Sequence, residues 1–139
     1  ETDMHTVGMW WTVPQTLTSG FSNDDLQGAL LGVTNLMCIV APIYLMCAPR
    51  DIKVIYQVKA PQTDLPTLFL YDQYPGGVGL SEKAYEMQEL LLEHALSVLD
   101  GCPCENGCPS CVGPESETGA NGKANARRIL KELMKACRD

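Results

Sequence analysis

The sequence lacks nucleotide-binding motifs and has little positive charge. Neither G-x-x-x-x-G-K-[ST] nor G-x-G-x-x-G occurs, and there is no D-E-x-H box. The chain therefore carries none of the usual groups that hold ATP and Mg²⁺. Ten lysines and arginines stand against 17 acidic residues, for a net charge of −7. Such a chain is, as a whole, a poor electrostatic match for nucleic acid.

The few positive charges are concentrated near the end of the chain. Residues 123–139 contain six of the ten basic residues and have a local charge of +4, against −11 for the rest. Four of these residues recur every four positions and form one stripe of a predicted helix. Two interpretations stay open: a solvated face that favours the negative helix C-terminus, or a contact for DNA phosphates or an acidic partner surface. This basic stripe comprises Lys123, Arg127, Lys131 and Lys135.

A long uncharged segment raises the question of a membrane span. Residues 29–47 contain no charged side chain, which is close to the length that crosses a bilayer. Gly32, Asn35 and Pro42 interrupt the apolar character, and no basic flank marks an inner end. We therefore predict a buried central helix and no contact with a membrane.

Cysteine usage and the chain start predict the cellular context. A tight cysteine cluster plus scattered thiols fits a reducing compartment better than a secreted disulfide framework. No signal peptide precedes the first strand-like segment. The chain begins at Glu1 without an initiator Met, which predicts a fragment of a larger, cytoplasmic protein.

Three segments are predicted to form strands. Segment 5–14 is rich in β-branched and aromatic residues and stops at Pro14. Segment 52–60 alternates between two faces, one of them more polar, and 67–72 is short and apolar.

Three further segments are predicted to form helices. Ser22 and Asp25 predict the start of a central helix over 23–47, with a break or kink near Pro42. Ser81 as N-cap and Gly101 as the residue after the end predict an amphipathic helix over 81–100. A last helix is predicted over 123–139, after a loop. The fold class predicted is α+β: a small, about three-stranded sheet covered by helices, in one domain over residues 1–139.

Four of the seven cysteines follow the pattern C-x-C-x3-C-x2-C. Pro103, Gly107 and Pro109 allow the turns by which four thiolates could converge on one tetrahedral metal. A bond between Cys102 and Cys104 is awkward because one residue separates them, and crossed bridges within ten residues would strain the chain. Zinc is favoured, and an iron–sulfur cluster, disulfides and metal-free thiols stay open. This cysteine cluster comprises Cys102, Cys104, Cys108 and Cys111.

A glycine-rich loop follows the third predicted strand. Free backbone N–H groups at the start of the next helix could receive a phosphate, yet the loop matches no nucleotide-binding motif. We interpret Gly76, Gly77 and Gly79 as residues of a tight turn with positive φ. Asp72 is expected to accept hydrogen bonds from the amides of that turn, so the predicted role of the loop is structural.

Three quoted segments together carry a family resemblance. They are VAPIYLMCAPRDI, LYDQYPGGVGLSEKAYE and CPCENGCPSCVGP. Over about Gln27 to Pro114 the chain resembles the C-terminal zinc-binding domain of the mitomycin repair factor A family of bacterial superfamily 2 DEAD/DEAH-box helicases. The loop and the cysteine spacing are specific as a combination.

The resemblance implies a ligand set and a parent protein. It implies that Cys102, Cys104, Cys108 and Cys111 hold one structural zinc ion, which would have no open position for substrate. It implies an ATP-dependent 3′–5′ DNA helicase in DNA repair, with ATP and Mg²⁺ bound only by the helicase core outside this chain. The partners implied are that core and, through the parent protein, DNA. Two roles stay open for the domain: bracing or guiding DNA, or a protein-interaction scaffold that never contacts DNA. A metal hydrolase is disfavoured because no His/Asp/Glu set accompanies an open metal site.

Overall fold

The computed structural model describes residues 8–18, 20–48, 51–58, 65–72, 80–104, 107–108, 111–113, 115–119 and 121–138. Within these residues three strands and six helices follow one another along the chain. They confirm the predicted α+β class. The elements are β1 (Gly8–Thr12), α1 (Gln15–Thr18), α2 (Asn23–Leu45), β2 (Ile52–Gln57), β3 (Thr67–Asp72), α3 (Leu80–Glu86), α4 (Gln88–Gly101), α5 (Glu115–Thr118) and α6 (Gly122–Arg138).

The three described strands form one antiparallel sheet in the order β1-β3-β2. The pairing places Phe69 of the central strand opposite both Trp10 and Ile55. Successive side chains alternate between the two faces of a sheet. Met9 and Trp11 accordingly belong to the buried core, whereas Trp10 is 51% exposed. All three predicted strands are confirmed.

The core is built around α2, which supplies twelve buried residues. The helix begins after Ser22, whose hydroxyl accepts a hydrogen bond from the Asp25 N–H at 3.2 Å. It continues through Pro42 and ends at Leu45, followed by a left-handed residue, Met46, with φ 56°. The helix is therefore not broken at Pro42, contrary to the prediction, and it ends two residues before the predicted end at residue 47.

The length and composition of α2 would also suit a membrane span, with a mean hydropathy of 1.8 over its most apolar window. That window is 61% buried inside the molecule, as in the core helix of a soluble protein. The polar group of Thr34 is satisfied within the helix, because its hydroxyl donates to the Leu30 carbonyl at 2.8 Å. The predicted buried central helix is confirmed.

The single helix predicted over 81–100 is wrong, because the structure has two. α3 and α4 are separated by Met87, at φ −101° and ψ 14°. Backbone hydrogen bonds still cross the break, from Met87 N–H to Lys83 O and from Leu91 N–H to Met87 O. The apolar periodicity runs through both helices, so it does not mark the break.

The predicted ends of this helix also need correction. α3 begins at Leu80, so Ser81 lies inside the helix and not at its N-cap. Gly101 is the last residue of α4, and the next residue, Cys102, is extended at φ −80° and ψ 129°. The helix thus ends in an extended residue because the chain turns there into the cysteine cluster.

The last helix, α6, packs against α2 and α4. The helix predicted over 123–139 is confirmed, and its residues Ile129, Leu130, Leu133 and Met134 are buried. The one-turn helices α1 and α5 were not predicted, and α5 lies in the segment expected to be a loop. Four residues are too few for a helical period to be recognised.

Candidate metal centre

The four sulfur atoms of the cysteine cluster converge on one point. The Sγ atoms of Cys102 and Cys108 lie 3.3 Å apart, those of Cys104 and Cys111 lie 3.5 Å apart, and all four lie within 4.8 Å of one another. A tetrahedral zinc with bonds of about 2.3 Å to sulfur places its ligands about 3.8 Å apart. A disulfide would require about 2.05 Å. The donor set therefore fits a single metal ion and not a pair of disulfides.

Tight turns bring the second pair of cysteines to the first. The N–H groups of Cys111 and Gly113 both donate to the Cys108 carbonyl, at 3.0 and 2.9 Å. Gly107, directly before this turn, has φ +141°, a conformation that favours glycine. A Cβ at Gly107 would also lie 2.7 Å from the Gly113 carbonyl oxygen. The turn between the two cysteine pairs therefore requires a glycine on two separate grounds.

One face of α2 packs against the segment that follows the cysteine cluster. Gly28, Gly32 and Asn35 lie on the same side of the helix, at positions i, i+4 and i+7. The Asn35 side-chain amide donates to the Val112 carbonyl at 2.9 Å. A Cβ at Gly32 would lie 3.0 Å from that of Val112, and one at Gly28 would overlap the Thr118 carbonyl group. The contact of these small and polar residues with the segment after the cluster was not predicted, although their helical spacing was a signal.

Lys123 is not on an exposed stripe, contrary to expectation. Its side chain is buried, at 9% exposure. Its ammonium group donates to the carbonyl oxygens of Cys102 and Cys104, at 2.8 and 2.6 Å. The first residue of the predicted stripe is therefore part of the wall of the cysteine cluster.

The other residues of the basic stripe divide into two groups. Arg127 forms an ion pair with Asp100 at the end of α4, with an Nε to Oδ1 distance of 2.7 Å. Lys131 and Lys135 are exposed. The surface that remains for an external anion is thus smaller than the sequence suggested, and its role stays a prediction.

Two cysteines outside the cluster, Cys38 and Cys47, have thiols with a raised pKa. Burial raises the pKa of the Cys38 thiol. Burial, and then the negative charges of Asp51 and Asp72, raise the pKa of Cys47, against a smaller lowering by Lys83. Both thiols therefore remain protonated at neutral pH, which makes them poor nucleophiles.

Of the four residues assigned to the glycine-rich loop, the structure describes Asp72. Asp72 is the last residue of β3 and is buried, at 1% exposure. Gly76, Gly77 and Gly79 lie outside the described residues. The proposed hydrogen bonds between Asp72 and the turn remain a prediction.

Residues 33–112 match the sequence model of the MrfA Zn-binding domain. The chain belongs to this family. The match covers α2 from Val33 onward, β2, β3, α3, α4 and the cysteine cluster, and it confirms the family resemblance and the zinc cofactor inferred from the sequence. Among the described residues, the MrfA Zn-binding domain of this chain has one set of four thiols that can hold a metal ion.

Longer proteins contain similar segments. The uncharacterised ATP-dependent helicase YprA of Bacillus subtilis is 38% identical over 133 residues, which are 96% of this chain and 18% of that protein. A crystal structure of the DUF1998 helicase MrfA bound to DNA superposes with a TM-score of 0.76 at 40% identity, over 81% of this chain and 15% of that one. A second, with DNA and AMPPNP, gives 0.69 at 37% identity, over 96% and 16%. The chain thus spans less than a fifth of these helicases.

Proposed function

We propose that residues 1–139 form one zinc-binding accessory domain of a longer ATP-dependent 3′–5′ DNA helicase that acts in DNA repair. The observation that carries the proposal is the convergence of Cys102, Cys104, Cys108 and Cys111 in a chain of the MrfA Zn-binding family. Four protein ligands complete the coordination of zinc, so water and substrate have no position. The metal in this domain is therefore structural.

The motor of this helicase lies outside the chain. The sequence contains no Walker A motif and no D-E-x-H box, so ATP and Mg²⁺ belong to the helicase core of the parent polypeptide. The assignment of ATP binding to the helicase core is supported by a relative named as an ATP-dependent helicase and by an MrfA structure with AMPPNP. A tight cysteine cluster with single cysteines scattered elsewhere in the sequence, such as Cys38, fits a reducing, cytoplasmic location better than a secreted disulfide framework.

Two roles beside the motor are compatible with a structural zinc. The domain could brace or guide DNA, which the DNA-bound structures of MrfA support. The second candidate is a protein-interaction scaffold without DNA contact. Three basic residues of α6 favour this scaffold, because each already has a partner within the chain and is not free to contact DNA. They are Lys123, Arg127 and Arg128.

Metal analysis of the purified chain tests the zinc site. We expect one zinc per chain, and chelation should lower the melting temperature because the energy of metal binding is also energy of folding. The variants Cys104→Ser and Cys108→Ser should lose zinc and melt like the chelated protein. Cys38→Ser is the matched control, since Cys38 lies outside the cluster, and it should keep its zinc.

Three results would contradict the proposed site. Iron with visible absorbance would identify an iron–sulfur protein, and a folded chain without metal would remove the structural role. Retention of zinc by Cys104→Ser and Cys108→Ser would place the metal elsewhere.

A further inference from the structure

Lys123 occupies a position that is unfavourable for a lysine side chain. It is the second residue of α6, where the positive end of the helix dipole disfavours a cation. Its side chain is buried, although burying an ammonium group is costly unless it is hydrogen-bonded or paired. The apolar face of α6 is formed by other residues, so helix packing alone does not explain the lysine.

The ammonium group is held by the first arm of the cysteine cluster. Nζ donates to Cys102 O at 2.8 Å and to Cys104 O at 2.6 Å. Both acceptors are neutral, so neither hydrogen bond cancels the positive charge. Cys102 directly follows the last residue of α4, where unpaired carbonyls and the negative end of that helix favour a cation.

We propose that Lys123 is a positioning residue of the metal centre, which holds the C-x-C arm in place and offsets the negative charge of the four thiolates. The inference rests on the proposed zinc site. Four thiolates around one Zn²⁺ carry a net negative charge, and a buried cation beside them is attracted more strongly than in water. Groups that orient metal ligands from behind in this way tune metal affinity. Lys123 thereby joins α6 to the cluster by charge as well as by packing.

The test is the zinc affinity of Lys123 variants, measured by competition with a chromophoric chelator. Lys123→Met keeps the apolar stem but removes the charge and both hydrogen bonds, and we expect zinc to bind about tenfold more weakly or worse. Lys123→Arg keeps charge and donors and should restore most of the affinity. Lys131→Met, an exposed position on the same helix, is the matched control and should bind zinc like the unaltered chain.

A spectroscopic measurement and a second variant separate metal positioning from general stability. Co²⁺ bound by Lys123→Met should retain the absorption spectrum of a tetrahedral sulfur site. Its dissociation constant should be larger than that of the unaltered chain. If Lys123→Met does not fold, Lys123→Gln replaces it, and the inference requires glutamine to weaken binding where arginine does not.

The possible failures are distinguishable. An unaltered chain that binds no zinc overturns both the proposed function and this inference. Zinc bound equally well by the unaltered chain, Lys123→Met and Lys123→Gln overturns the inference alone. Equal loss of stability with and without metal, at unchanged affinity, would mean that Lys123 only packs.

Discussion

At the scale of single residues, the absence of a side chain on α2 decides how closely the cluster can approach. Gly28 and Gly32 are buried, and each lies against the backbone or side chain of the segment that follows Cys111. Glycine inside a helix costs up to about 1 kcal/mol relative to alanine. The close approach of Val112 and Thr118 compensates for that cost.

Gly28→Ala should therefore destabilise the protein although alanine is the better helix former. The new methyl group would overlap the Thr118 carbonyl, and overpacking of this kind costs about 1–3 kcal/mol. Urea unfolding of the zinc-loaded chain measures the loss.

Gly101→Ala provides the matched control for this prediction. Gly101 also lies in a helix, but a Cβ there would have no atom within 4 Å. This variant should be neutral or slightly more stable. If Gly28→Ala were equally harmless, the α2 face would not be in close contact with Thr118.

At the scale of the element, the start of α2 is fixed by its first turn. The apolar residues of the helix do not by themselves define the residue at which it begins. The Ser22 hydroxyl accepts a hydrogen bond from the N–H group of Asp25, and Asp24 and Asp25 complement the positive end of the helix dipole. The start of α2 also sets which residues face the cluster, since the helix carries its small and polar face at a constant period.

Ser22→Ala should lower the free energy of unfolding by about 1 kcal/mol, as is typical for the loss of an N-cap. Chemical denaturation at saturating zinc measures the change without interference from metal loss. Ser97→Ala controls for the substitution itself, because Ser97 is exposed in the interior of α4 and alanine is the better helix former there. A Ser22→Ala variant as stable as Ser97→Ala would contradict the capping role.

At the scale of the whole molecule, the cysteine cluster joins helices that are far apart in sequence. Cys102 directly follows α4, the Val112 carbonyl is bound by Asn35 of α2, and Lys123 reaches the cluster from α6. The core formed by these helices is continuous with the buried face of the sheet. Loss of the metal should therefore loosen the helical core and not only the cluster.

The surface that α6 leaves free decides between the two candidate roles in the parent helicase. We predict that Lys131→Glu and Lys135→Glu together weaken DNA binding by the complete helicase if the domain guides DNA. Because two phosphate contacts would be lost, the salt dependence should become shallower, and the slope of log K against log [salt] should become less negative by about 2. Binding by fluorescence anisotropy over a salt series provides the measurement, and ATPase without DNA is measured alongside to detect an effect on the helicase core.

Other outcomes of this charge reversal have different meanings. Unchanged DNA binding at low salt would favour the scaffold. Loss of DNA-independent ATPase would indicate that α6 docks on the helicase core.

Local features were predictable because local sequence determines them. Strand periodicity located β3 at both ends, the N-cap Ser22 located the start of α2, and spacing located the four cysteines. Each of these signals lies within a few residues, where the alternation of side chains, the first N–H groups of a helix and the reach of a short loop restrict the possibilities.

The tertiary structure alone decided what Lys123, Asn35 and Gly28 do. Lys123 is bound to residues 21 and 19 positions earlier, and Asn35 to one 77 positions later. Helical spacing placed Lys123 on a basic stripe because a helix period describes one helix and not its neighbours. Which charge is buried, and which glycine must remain a glycine, depend on the packing of α6 and the cluster against α2. That packing arises only when elements distant in sequence are brought together.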